Sequence, residues 1–128
     1  MAKEKLFENQ VKRYFHSVGI YPAGYPKNKM NVPITGWYIK YWAGAQFTKS
    51  GIPDILACIN GHFVAVEVKA EDGTPSDLQI LNCERINAGS GLAFVLYPSA
   101  FDDFKELINS IVQDNGYWTR SSIPVVWK

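Results

Sequence analysis

Between Lys3 and Val18 the apolar residues Phe7, Val11, Tyr14, Phe15 and Val18 return at helical spacing, so the chain is expected to open with an amphipathic helix that stops at Gly19. Tyr21 to Pro33 holds three prolines, a glycine and two asparagines, the composition of a long loop. The aromatic run Trp37–Trp42, directly behind Gly36, predicts a strand, and Ala43–Pro53 a further connection. Asp54–Ile59 is apolar and of strand length. Asn60-Gly61 follows, the strongest short hairpin signal, and His62–Lys69 is its Val- and Phe-rich partner, closed by a turn at Asp72-Gly73.

The second half alternates helix and strand. Thr74 is the expected cap of a second helix, with Pro75 at its first position and Asp77 as the capping-box acid. Leu78, Leu81, Cys83 and Ile86 populate it, and Gly89 or Gly91 ends it. Leu92–Tyr97 reads as a strand. Ser99 is expected to cap a third helix with Phe101, Phe104, Leu107, Ile108 and Ile111 as its core face, stopped by Asn115-Gly116. Ile123–Trp127 suggests a short last strand. The predicted order α-β-β-β-α-β-α(-β) with one internal hairpin implies an α/β fold, a mixed sheet flanked by helices, in a single domain over residues 1–128.

Composition narrows this further. With 47% hydrophobic and 20% charged residues in 128, the chain is an ordinary globular domain able to bury a core. No apolar run reaches the ~20 residues a membrane span requires, and the charges at Lys3, Glu4, Lys5 and Glu8 do not suit a secretory leader. Two cysteines and two histidines are too few for a disulfide framework or a Cys/His zinc site, so a reducing, cytoplasmic location is expected. The glycines form no phosphate-cradling motif, so no nucleotide cofactor is expected. Net charge is +1, but residues 1–49 carry eight Lys/Arg against two Glu, and residues 50–128 five Lys/Arg against ten Asp/Glu. That asymmetry fits a polyanionic partner or simply a solvated basic face.

Several charges sit where a core would be expected. Alternation along His62–Lys69 places Val64, Val66 and Val68 on one face and Phe63, Ala65, Glu67 and Lys69 on the other, which separates Glu67 from Lys69 by roughly 7 Å. A hairpin turning at Asn60-Gly61 pairs residues whose numbers sum to about 121, which sets Asp54 across from Glu67 or one residue away. Two carboxylates this close repel unless a cation lies between them. Taken singly, the Glu-Val-Lys triplet is also what a strand fraying into solvent carries, and Asp54 is also a turn former beside Pro53. Glu8 shares a helical face with Val11 and Phe15, with Glu4 one turn nearer the end, and Gln79 aligns with Cys83 and Ile86. Each of these is either a site residue or an ordinary surface or core polar group.

An Asp/Glu site without Cys or His suits a hard cation such as Mg²⁺ or Mn²⁺. Such a site can activate water against a phosphodiester. A neighbouring Lys can orient the water, take its proton or stabilise developing charge.

Gly51-Ile52-Pro53-Asp54, Glu67-Val68-Lys69, Gln79 on the following helix and the first-helix Phe7-Glu8…Val11 together resemble the PD-(D/E)xK nuclease superfamily. Within it the chain is similar to a stand-alone, phage-type VRR-NUC domain, with archaeal Holliday-junction resolvases as structural cousins. The resemblance spans about residues 3–97, apart from Tyr21–Lys49, which does not align. It implies a restriction-endonuclease-like fold and a homodimer. It also implies Asp54, Glu67 and the Val68 carbonyl as metal ligands, Glu8 on the metal or its waters, Lys69 serving the attacking water, and Gln79 supporting the site.

A different set of residues points to a partner surface. Lys27, Lys29, Lys40 and Lys49 interleave with Tyr25, Trp37, Tyr38, Tyr41 and Trp42, with no acid from Asn9 to Gly51. Lysines make salt-dependent phosphate contacts and aromatic faces stack on unpaired bases. Lys49-Ser50-Gly51, just ahead of Asp54, is placed to lead DNA to the site. The expectation is a metal-dependent DNA endonuclease selective for DNA structure (junction, flap or nick). The alternative is a catalytically inactive nucleic-acid-binding or partner-inhibiting protein on the same fold.

Overall fold

The structure, a computed structural model, describes residues 2–42, 50–114 and 122–128. Three helices, α1 (Ala2–Ser17), α2 (Asp77–Ala88) and α3 (Phe101–Gln113), flank six strands: β1 (Ile20–Pro22), β2 (Gly36–Lys40), β3 (Ile55–Ile59), β4 (His62–Val68), β5 (Leu92–Leu96) and β6 (Val126–Trp127). All six strands form one mixed sheet whose spatial order follows the chain. β3 runs antiparallel to β2 and β4, and the remaining pairings are parallel. Among the described residues no helix is long and apolar enough to cross a membrane.

The β3–β4 ribbon lies at the centre because its turn is strongly specified. Asn60 (φ 47°) and Gly61 (φ 84°) both adopt the left-handed conformation that a two-residue type I′ loop requires. The register that follows pairs Ile55 with Val66 and Ile59 with His62, so the partner numbers sum to 121 as expected. β4 is therefore covered by strands on both sides, and Val64 through Val68 are all buried.

The two faces of the sheet are covered unequally. On one, Val64, Val66 and Val68 pack with Phe7, Val11 and Phe15 of α1 and Phe104, Leu107, Ile108 and Ile111 of α3. Rings interlock there, Phe7 on Phe101 at 5.4 Å and Phe15 on Phe104 at 6.0 Å between centroids, each buried ring contributing on the order of 2–3 kcal/mol. On the other face α2 sets only Ile80, Cys83 and Ile86 against Ala65, Ala93 and Val95. Trp37 and Phe63, further along that face, stay exposed.

Four expectations change. The loop expected over Tyr21–Pro33 begins in a short strand, β1, parallel to β2, and holds a 3-10 turn at Lys27–Lys29. The cap of α2 is Ser76, not Thr74. Its Oγ accepts from the Gln79 N–H at 3.2 Å, and Gln79 Oε1 accepts from the Ser76 N–H at 2.9 Å, a reciprocal box that Asp77, one position inside the helix, is not placed to make. Leu78 and Leu81 are exposed because α2 turns its Ile80, Cys83 and Ile86 side to the sheet. Ser99 does not cap α3: it lies inside a 3-10 turn, Pro98–Ala100, and its N–H and hydroxyl are taken by Glu71. The expected stop at Asn115-Gly116 lies outside the described residues, and Asp114 (φ 52°) terminates α3.

Candidate functional site

The open end of the β3–β4 ribbon collects the charged residues. Glu67 occupies the penultimate position of β4, with only 2% of its surface exposed. Asp54 immediately precedes β3, and its Oδ2 accepts the Val68 backbone N–H at 2.9 Å, which fixes its carboxylate beside the end of β4. Gly51 (φ 78°) makes the approach possible. A Cβ there would stand 2.7 Å from Leu78 Cβ, and its carbonyl accepts from Asn82 Nδ2 at 3.0 Å, so the Gly51–Asp54 segment is tied to α2. Gln79, in the first turn of the same helix, donates from Nε2 to Glu67 Oε2 at 3.0 Å. Lys69 Nζ lies 3.5 Å from that same oxygen.

One oxygen is left over. Glu67 Oε1 is buried with no hydrogen-bond partner. Asp54 lies close enough to Glu67 to receive a hydrogen bond from it only if Glu67 is protonated. Burial, reinforced by the Asp54 charge and only partly offset by Lys69, pushes Glu67 up to about 8 from an ordinary 4.5. A buried carboxyl oxygen close to a second carboxylate is a donor set that a hard divalent cation can use once it displaces the proton. Asp54 and Glu67 are the two carboxylates at this end of the ribbon that could hold such an ion.

Glu8 is arranged differently. It is buried at 3% exposure on α1, yet both its oxygens are held by ammonium groups: Lys40 at 2.5 Å on Oε1, and Lys12 at 2.8 Å and Lys5 at 3.1 Å on Oε2. Burial alone would raise Glu8. The hydrogen bonds from Lys12, Lys40 and Lys5 outweigh it and hold the carboxyl at about 2, so it is ionised. Lys40 reaches on to Asp54 Oδ1 at 3.3 Å, and burial, which by itself would lower it, is outweighed by Glu8 and Asp54, so the ammonium stays charged. Among the described residues no group of three or more His, Cys, Asp and Glu side chains assembles as a metal cluster. Among the described residues Glu8 is linked to Asp54 through Lys40. Glu4 is half-buried in the first turn of α1, where Ala2, Lys3 and Glu4 face Ala70, Asp72 and Gly73 across a cavity of about 390 Å³ beside the end of β4.

Of the residues expected to meet DNA, Lys27 and Lys29 are exposed on their 3-10 turn and Ser50 is exposed, whereas Lys49 lies outside the described residues. Lys40 is drawn inward, with 19% of its side chain exposed. Tyr38 is core, its hydroxyl 2.9 Å from His16 Nε2. Trp37 and Trp42 remain exposed. Arg13 was not signalled by any motif. It lines a cavity of about 430 Å³ with His16, Tyr21, Tyr25 and Lys29, a wall of rings with two cations. The places of Lys5 and Lys12 were available from helix spacing at i−3 and i+4 of Glu8. That of Lys40 required the β2–β3 register, which no short turn sets. Compared with models of known protein families and with curated proteins, the chain matches none.

Proposed function

We propose that the chain is a metal-dependent endonuclease that hydrolyses DNA phosphodiesters on a restriction-endonuclease-like fold, acts as a homodimer and selects its substrate by DNA structure. The observation that carries this reading is the meeting of Asp54 and Glu67 at the end of the β3–β4 ribbon, with Glu67 Oε1 buried and partnerless and Lys69 alongside. Asp54, Glu67 and the Val68 carbonyl would hold Mg²⁺ or Mn²⁺, which when bound supplies a Lewis acid for the scissile phosphate and lowers the pKa of water.

The remaining roles belong to the chain. Lys69 orients the attacking water beside Glu67 and stabilises the negative charge that grows as the water oxygen, losing its proton to solvent, bonds to phosphorus and the leaving oxygen departs and takes a proton from solvent. Gln79 holds Glu67 in its rotamer by donating to Oε2. Lys27, Lys29 and Arg13, none ion-paired among the described residues, offer phosphate contacts along the basic half, and Ser50 leads from that surface to Asp54. The Tyr25 and His16 rings beside Arg13 and Lys29 suit an unpaired base.

The test is a panel of branched, nicked and linear DNAs incubated with Mg²⁺ or Mn²⁺. Wild type is expected to cut at least one branched or nicked substrate, and folded Lys69→Ala to lose about 100-fold or more. Equal cutting by Lys69→Ala refutes the mechanism. One observation favours the second reading, a protein that binds nucleic acid without cutting it: Lys40 and Lys69 already engage the carboxylates. DNA binding without any Mn²⁺ uptake in calorimetry would select it.

A further inference from the structure

Lys40 bridges two carboxylates from different elements. Its ammonium contacts Glu8 Oε1 on α1 and Asp54 Oδ1 before β3, at 2.5 and 3.3 Å. The side chain is four-fifths buried, so the bridge is built into the packing and is not a chance surface pair. It starts from the end of β2, in register with Ile55 and two residues beyond buried Tyr38, so its direction is set by the strand. Without it, Glu8 and Asp54 would face each other as two anions, an arrangement that calls for a cation. The ammonium supplies one. It also explains why three acids at one end of the sheet do not assemble into a three-carboxylate cluster among the described residues.

We propose that Lys40 is a resident cation that occupies the position a second divalent ion would take between Glu8 and Asp54, making this a one-ion site. Under this proposal the ion binds at Asp54 and Glu67, Asp54 turns Oδ1 to Lys40, and Glu8 is a positioning residue that anchors the ammonium and is not itself a ligand. The chemistry differs from what the sequence resemblance implies for Glu8. The inference rests on the metal-site reading and deepens it: a lysine cannot leave with product or be stripped by a chelator, so part of the site's positive charge is permanent.

The experiment counts Mn²⁺ bound per chain, by calorimetry and by paramagnetic resonance of the bound ion, in wild type, Glu8→Gln, Lys40→Met, Lys40→Gln and Asp54→Asn, each checked for fold by circular dichroism. The expectation is one ion in wild type and one in Glu8→Gln, with affinity changed by less than about threefold. Asp54→Asn is expected to lose about tenfold or more. Lys40→Met or Lys40→Gln is expected either to admit a second ion or to bind the single ion about tenfold tighter, because Glu8 and an unoccupied Asp54 oxygen become available. Three results overturn the proposal while leaving the metal-site reading intact: two ions in wild type, a loss in Glu8→Gln as large as that in Asp54→Asn, or folded Lys40 variants identical to wild type. No Mn²⁺ bound by folded wild type overturns both.

Discussion

Replacing Glu67 by Gln is expected to stabilise the metal-free protein. Ionised Glu67 is buried, faces Asp54 and leaves Oε1 without a partner, with the result that its carboxyl is pushed from 4.5 up to about 8. A folded-state value above the unfolded one means that the native protein binds the extra proton, so stability is fully present below about pH 4.5 and is lost as pH rises towards 8. At about 1.4 kcal/mol per pH unit the cost at pH 8 is at most about 4 kcal/mol. Glutamine keeps the shape, accepts from Gln79 and Lys69 through its oxygen, and can donate its amide to Asp54 where the acid could only repel. Allowing for relaxation of the site, a gain of about 1–3 kcal/mol is expected at pH 8, or roughly 3–12 °C in Tm for a chain of this size, shrinking towards zero at pH 5. Thermal melts in a chelator at pH 5, 6, 7 and 8 read both the gain and its slope. Added Mn²⁺ should then raise the wild-type Tm and leave the variant nearly unmoved. A variant less stable than wild type at pH 8, or a difference indifferent to pH, would show that Glu67 is a net-stabilising ion pair with Lys69 and refute the reasoning.

Gly51→Ala should destabilise by about 1–3 kcal/mol, since φ is 78° and the new methyl meets Leu78 Cβ at 2.7 Å; denaturant titration measures it, and a neutral result would mean that the segment moves freely. Ser76→Ala removes one half of the α2 capping box and should cost about 1 kcal/mol by the same titration, whereas Thr74→Ala should be nearly silent. In a chelator, Arg13→Ala and Lys29→Ala should each weaken binding to all DNA sequences alike and lower the slope of log K against log salt by about one, measured by fluorescence anisotropy; unchanged slopes would place the DNA elsewhere.

What was legible in the sequence was what short-range rules control. Asn60-Gly61 is a turn whose geometry follows from two residues, so the β3–β4 register and the meeting of Asp54 with Glu67 follow by counting. The valine alternation likewise identified the face that α1 and α3 cover. From sequence Lys40 reads as a surface residue, because its approach to Asp54 depends on pairing across a connection of more than ten residues, where no turn chemistry sets the register. β1 was hidden because three residues ending in Pro22 carry no periodicity, and it forms only because β2 offers an edge. The α2 cap was ambiguous from sequence, since Thr74 and Ser76 both stand three residues before a side chain able to close a box, and Pro75 between them favoured the wrong one. Leu78 and Leu81 are exposed because α2 presents Ile80, Cys83 and Ile86 to β4 and β5, a choice of face that the composition of the helix alone does not reveal.

Spatial order that copies chain order has a kinetic consequence. Contacts in the sheet form between consecutive strands, so assembly can begin at the tight turn, where a hairpin closes in about 1–10 μs, and spread outward without threading. Asp54 and Glu67 lie at the far end of that ribbon, so zipping from the turn brings the two mutually repelling acids together last. Changes at Asn60 or Gly61 should therefore slow refolding, whereas neutralising either acid should chiefly slow unfolding.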